Sequence, residues 1–400
     1  IAMTSQGGSW GFSISLSHLD QAPSHFPCRT MKNTHRLPYI DAWRFFAIFL
    51  VILSHVIEYS HPIYHQVLPG LIWRIHPMGT LGVQIFFCIS GYVICRGMVK
   101  EVSVHGAVSM RYFYLRRVLR IVPPLMLYLL FLAVLTQTGS IEMSAPQFAQ
   151  SAAFLCNINL LGNCGWYAGH TWSLAFEEQF YLVFPMLFVG LGMARKRRTI
   201  LPVIGALLAI VLSAQVAAQP ELALYVSIFS FMLWGCVYAL YENSLGPLLK
   251  KLPFAFWCAG IALLVGVYLV ALPAWLMNVV YPLIAPVIIC GVVFGTPLAR
   301  PAIRKLFGNA VLAYLGQISY TIYLWQQVAT ANHGFASPLV VFGLLGIVIL
   351  LAHFSYQYLE LPLIRMGRRQ SVDQDVASPA TVPVVPVALV VTPVVPVSPD

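Results

Sequence analysis

Charge of either sign is scarce in this chain. Lys and Arg number 23 and Asp and Glu 13 among 400 residues, 9% together, against about 25% in soluble domains. Beside 59% hydrophobic residues, that shortage excludes a soluble fold, which must clothe its surface in polar and charged groups. No Cys/His spacing resembles a zinc site, so no metal is expected. Residues 1–36 are polar, without the apolar run of about 7–15 residues that marks a signal peptide. The net charge of +10 is spread along the chain and forms no separate basic domain, so no nucleic-acid partner is expected.

What the sequence has is long apolar runs. Ten of them, near 39–58, 80–98, 118–136, 173–192, 199–217, 222–241, 254–272, 275–296, 309–330 and 337–359, approach the ~20 residues that span a ~30 Å hydrocarbon core. Backbone polar groups must be satisfied inside such a core, so the runs predict helices. The expected fold is all-α, a polytopic transmembrane helix bundle of about ten spans. In that count the basic clusters (Lys32/Arg36, 96–120, 195–198, Lys250/Lys251, 300–305 and 365–369) share the side of the N-terminus, and Arg74 alone faces the other. The positive-inside rule then places both termini in the cytoplasm, in a multi-pass protein of the cell (inner) membrane.

Three regions follow. Residues 1–36 read as a polar tail, with Met31 a natural start in "MKNTHRLPYIDAWR" and the preceding stretch a tail or an upstream extension. Residues 37–368 form the transmembrane domain. Residues 369–400 are Pro/Val-rich, and prolines this dense exclude a helix, so a disordered tail is expected. Five of the eight cysteines fall within spans and Cys28 in the first tail. Cys156 and Cys164 share the outer loop 137–172, where an oxidising compartment permits a disulfide, although spacing alone does not decide it.

The first span, "YIDAWRFFAIFLVILSHVIEYS", holds ionisable residues. Arg44 and His55 are eleven residues apart, almost three turns, so they share a face ~16 Å apart along the axis. Asp41 and Glu58 extend the stripe by one step of three at each end. Snorkelling end residues plus a structural histidine would account for Asp41 and Glu58. Arg44 and His55 fit that reading poorly, because intramembrane ionisable groups line cavities or pathways. Histidine is also the side chain suited to exchange a proton near neutral pH.

From this point the chain resembles the acyltransferase-3 family of integral membrane acyltransferases. Arg44 and His55 match its Arg-(ten residues)-His signature. "FFCISGY" at 86–92, "RRVLRIVPP" at 116–124, "WSLAFEEQFYLVFP" at 172–185, "LGQISYTIYLWQ" at 315–326 and "ELPLIR" at 360–365 match further elements in the family's order. The resemblance covers about 37–368. One departure is Gln326, where the family often has histidine.

The resemblance implies an O-acetyltransferase moving an acyl group, usually acetyl, from cytoplasmic acyl-CoA to a hydroxyl. The acceptor would be an extracytoplasmic glycan or a lipid-linked sugar. Acetyl-CoA would be a donor substrate, with no tightly bound cofactor. It makes His55 the catalytic residue, as general base or as an acyl-histidine relay. Arg44 would hold the donor or stabilise an oxyanion, and Glu58 would orient the imidazole or merely end the helix. Topology alone would have Arg117 and Arg120 enforce orientation; the family match makes them the site for coenzyme A phosphates. Glu177 and Glu178 point ~100° apart, so they are not expected to act on one group. Glu178 is expected inward, since it shares a face with Tyr181 and Pro185. Ser90 and Gly91 are expected chiefly to allow close helix approach, with Ser90 a supporting site residue. Glu360, with Pro362 and Arg365, is expected to end the last span in an ion pair.

Two rivals differ in class. A transporter could use the Arg44/His55 stripe as a proton or substrate pathway, but no repeat relates the two halves of the chain. A lipid-linked-sugar glycosyltransferase would be expected to carry acids in its first outer loop, and residues 59–79 contain none. The acceptor, acyl chain and oligomeric state are not legible.

Overall fold

The computed structural model describes residues 37–58, 77–158, 162–190, 202–203, 205–207, 209–210, 220–270, 272–273, 276–331 and 338–367. Both expected tails, residues 59–76, most of the expected span 199–217 and the side chain of Glu58 lie outside the described residues.

Among the described residues every regular element is a helix. α1 (Pro38–Glu58) opens on a proline, which fits the first turn because its missing N–H has no helical partner there. α2 (Met78–His105) stops where Gly106 takes φ 76°, the left-handed cap that glycine adopts without strain. α3 (Met110–Gln137) runs through Pro123 and Pro124. The short α4 (Ala145–Ala152) is closed by a Ser144/Gln147 capping box. α5 (Gly165–Gly169) and α6 (Thr171–Gly190) follow, then α7 (Pro220–Lys251) and α8 (Phe254–Leu269). A π turn at Leu276–Val280 leads into α9 (Tyr281–Gly295); α10 (Pro301–Phe307), α11 (Ala310–Gln317) and α12 (Ser319–Thr330) come next. α13 (Pro338–Ser355) ends in a second π turn, Tyr356–Glu360.

Five described helices are long and apolar enough to cross a membrane: Pro38–Ile57, Met78–His105, Met110–Gln137, Tyr281–Leu298 and Leu339–Gly367. A sixth is possible if α7 and α8 form one bent span; they meet at 106°. Pro253, the N-cap of α8, cannot donate a backbone bond and disfavours helix at the residue before it, so the chain turns there. The expected ninth span is broken. Ile318, at φ −90° and ψ 5°, separates α11 from α12 and leaves each half too short to cross alone.

α11 lies on α1, and a Cβ at Gly316 would overlap the backbone carbonyl of Asp41. α2 and α7 are held equally close: Gly91 faces the Met232 carbonyl and Gly235 the Cys88 carbonyl. Small residues at such contacts let backbones approach where lipid offers no hydrophobic drive for association. Asp41 is accordingly buried against α11 and does not snorkel. Leu130, Leu182, Met186 and Phe342, by contrast, point outward and are exposed, as lipid-facing residues of a span are.

Candidate active site

α1 carries Arg44 and His55 on one unbroken helix, so their ~16 Å axial separation is kept. Each end meets a different set of partners.

Around Arg44 three arginines converge. Arg44 from α1 and Arg117 and Arg120 from α3 line one cavity of about 80 Å³, with Ser90, Glu177 and Tyr181. A water needs ~10–15 Å³ measured this way, so the space admits several waters or a small polar group. The arginine-rich stretch on α3 therefore divides. Arg116 turns away and pairs with Glu101 at 3.2 Å. Arg96 likewise pairs with Glu242 at 3.0 Å. Arg117 and Arg120 point into the cavity, and Arg117 stacks over the Tyr181 ring, 4.1 Å from its centroid. Tyr320 of α12 donates to the Ile121 carbonyl at 2.8 Å, and Pro123 and Pro124 remove the helical donors of the two preceding carbonyls, those of Leu119 and Arg120.

The acidic pair is reversed from expectation. Glu177 lines the cavity, accepting hydrogen bonds from Ser90 Oγ and from the Tyr181 hydroxyl, the latter at 2.5 Å. Glu178 Oε1 is buried without a hydrogen-bond partner. Tyr181 follows Glu177 by four residues and Glu178 by three, so it lies ~40° from the first and ~60° from the second around the helix. Ser90 thus bonds within the site, while its neighbour Gly91 makes the close approach. Glu360 also departs from expectation. It is buried, accepts from Thr321 Oγ1 and feels the charge of Arg120, whereas Arg365 is exposed.

His55 belongs to a second set. It does not line the arginine cavity. Its Nδ1 lies 3.1 Å from Gln326 Oε1, and its ring meets the Trp166 indole edge-on at 5.4 Å. Gln326 Nε2 bonds Gln327 Oε1 at 2.8 Å, and Gln327 Nε2 bonds the Trp166 carbonyl at 3.0 Å. Trp166 is delivered by α5, beside the Cys156–Cys164 disulfide, which is present. Its sulfurs pack with Ala168, Met143 and Trp172. Tyr323 ties the cavity to the residues between α5 and α6. It lines the cavity, donates to the His170 carbonyl at 2.6 Å and lies 2.6 Å from Ser173 Oγ.

The structure brings Arg44, Arg117 and Arg120, which the sequence assigns to the donor, into one cavity with Ser90, which the sequence assigns chiefly to helix approach, and leaves His55 outside that cavity. The sequence turned Glu178 inward rather than Glu177 and did not single out Tyr323, Gln327 or Trp166. Glu177 and Tyr323 sit inside matched motifs, but Trp166 comes from the short α5, which no periodic signal marks.

A family model described as an acyltransferase domain, that of the acyltransferase-3 family, matches residues 37–357. A Staphylococcus aureus (strain COL) protein provisionally named as an O-acetyltransferase is 25% identical over 385 residues, covering 84% of this chain and 58% of its own length. BcsY of Komagataeibacter xylinus, provisionally named as a membrane-bound transacylase, is 26% identical over 315 residues, covering 70% and 75%. The peptidoglycan O-acetyltransferase OatA of Listeria monocytogenes is 24% identical over 375 residues, covering 84% and 58%. The chain thus spans a little over half the length of the staphylococcal and listerial relatives. No solved structure matches. With its domain model covering the greater part of the sequence, the chain belongs to the acyltransferase-3 family.

Proposed function

We propose that this chain is a membrane O-acetyltransferase that takes an acetyl group from cytoplasmic acyl-CoA and delivers it to a hydroxyl of an extracytoplasmic or lipid-linked glycan. In this reading the membrane domain has about ten spans with both termini cytoplasmic, in the inner membrane. The observation that carries it is the division of α1: an arginine-lined cavity surrounds Arg44 at one end, and a histidine with oriented polar partners lies at the other.

Arg117 and Arg120 bind the phosphates of the donor, for which a planar guanidinium fork is better suited than an ammonium. Arg44, in the same cavity, holds the donor together with them. Glu177, fixed by Ser90 and Tyr181, balances the charge of the arginines and supports their placement. His55 takes the proton of the acceptor hydroxyl. The freed oxygen adds to the thioester carbonyl carbon, the C–S bond breaks, and the proton passes to the departing sulfur. The listerial relative's name makes a cell-wall glycan a reasonable acceptor to test first.

The test is turnover of acetyl-CoA by the purified chain with glycan acceptors, together with mass spectrometry of surface glycans from cells with and without the gene. Acetyl groups that disappear with the gene and with His55→Ala are expected. Unchanged glycans, or solute flux without acetyl-CoA turnover, would overturn the reading.

A further inference from the structure

The structure assigns Gln326 and Gln327 as positioning residues that hold His55 in a single tautomer. The inference deepens the acyl-transfer reading, and its kinetic half rests on that reading.

One atom of this chain of bonds has a fixed role. The backbone carbonyl of Trp166 can only accept, and Gln327 Nε2 lies 3.0 Å from it. Gln327 Oε1 must therefore point the other way. The Trp166 indole secures the same residue again, Nε1 donating to the Gln327 carbonyl at 3.0 Å. Gln327 Oε1 meets Gln326 at 2.8 Å, so the Gln326 atom there is the donor Nε2. Gln326 Oε1 is then left to face His55 Nδ1 at 3.1 Å. An acceptor opposite Nδ1 requires a proton on Nδ1. The Thr330 hydroxyl donates to the Gln326 carbonyl at 3.0 Å and steadies its backbone.

Reversing either amide would set two donors or two acceptors against each other. Gln326 is fully buried and Gln327 nearly so, which leaves little access for water to repair the mismatch. Two side chains and one carbonyl thus transmit a direction from α5 to the imidazole on α1.

With the proton on Nδ1, the lone pair is on Nε2. An acceptor hydroxyl gives its proton to Nε2, its oxygen bonds the acyl carbon, and the C–S bond breaks as that proton moves to sulfur. The Nδ1–H bond to Gln326 persists in the imidazolium, so the relay is satisfied at every stage. The partner is a neutral carboxamide, which orients the ring without adding a charge.

The experiment uses the full chain with ¹⁵N-labelled histidine in lipid nanodiscs, His55 being assigned by difference against His55→Ala. Above neutral pH, wild-type His55 is expected to carry its proton on Nδ1, whereas histidine free in water favours the Nε2–H form. Gln326→Met and Gln327→Met should shift His55 toward the Nε2–H form. They should lower kcat roughly 10- to 100-fold while leaving the KM for acetyl-CoA within about twofold, as misplacing a reacting group does. A wild-type His55 protonated on Nε2 overturns the relay, whether or not the variants fold. A variant whose tautomer has shifted but whose kcat is unchanged overturns the positioning role. Wild-type turnover in His55→Ala would instead sink the catalytic reading, and the tautomer spectrum then decides the relay by itself.

Discussion

The Arg117 guanidinium lies 4.1 Å from the centre of the Tyr181 ring, while Arg116, one residue earlier, turns outward to Glu101. Adjacent arginines on one helix thus serve different ends, which makes them a paired test. Arg117→Ala and Arg120→Ala should raise the apparent KM for acetyl-CoA about ten- to a hundredfold, since one charge-assisted bond is worth roughly 1.5–3 kcal/mol. Lysine should restore only part of this, because it lacks the fork and the flat face. Arg116→Ala should leave donor affinity nearly unchanged. Isothermal titration of purified, folded variants with acetyl-CoA checks all three, and equal loss in Arg116→Ala would return every arginine here to an orienting role.

Glu177→Gln and Glu178→Gln should separate. The first removes a carboxylate that accepts from Ser90 and Tyr181 beside three arginines, and a loss of roughly tenfold in kcat/KM is expected. The second neutralises a buried oxygen with no hydrogen-bond partner, so activity should hold and thermal stability should stay level or rise. The reverse order of effects would show that the cavity is built around Glu178 after all.

The Cys156–Cys164 bond closes a short loop next to the segment that presents Trp166 to His55. Chain entropy for a loop of this size corresponds to about 2.5 kcal/mol. Cys156→Ser combined with Cys164→Ser should lower the melting temperature in detergent. It should also depress kcat more than the KM for acetyl-CoA, because the disulfide lies on the His55 side and away from the arginine cavity. A selective rise in the donor KM would contradict that placement.

Gly91→Ala would add a Cβ that overlaps the Met232 carbonyl. Helix backbones held this close cannot absorb it without moving apart, and overpacking of this kind costs about 1–3 kcal/mol or more. Lower folded yield on size-exclusion chromatography is expected. Gly97→Ala, on the same helix with open space around it, serves as the control and should be silent.

Much of this protein follows from residue order alone. Scarce charge and long continuous apolar runs dictate helices in a membrane, because a helix satisfies its backbone within one segment, whereas a barrel strand would be shorter and alternate apolar with polar residues. Helical geometry by itself puts Arg44 and His55 on one face of α1, and the Arg117/Arg120 pair on one face of α3, since those spacings are local. The tertiary structure decided what periodicity cannot carry. Whether Glu177 or Glu178 enters the cavity depended on which neighbours, Ser90 and Tyr181, stood within reach. The ninth apolar run reads as one span, yet it divides at Ile318, with Gly316 just before the break set against the backbone of α1. Gln326 looked like a departure from a pattern, and its part emerged only when His55 and the Trp166 carbonyl of α5 came beside the Gln326–Gln327 pair. Those contacts join residues more than 150 positions apart, and only the packed bundle brings them together.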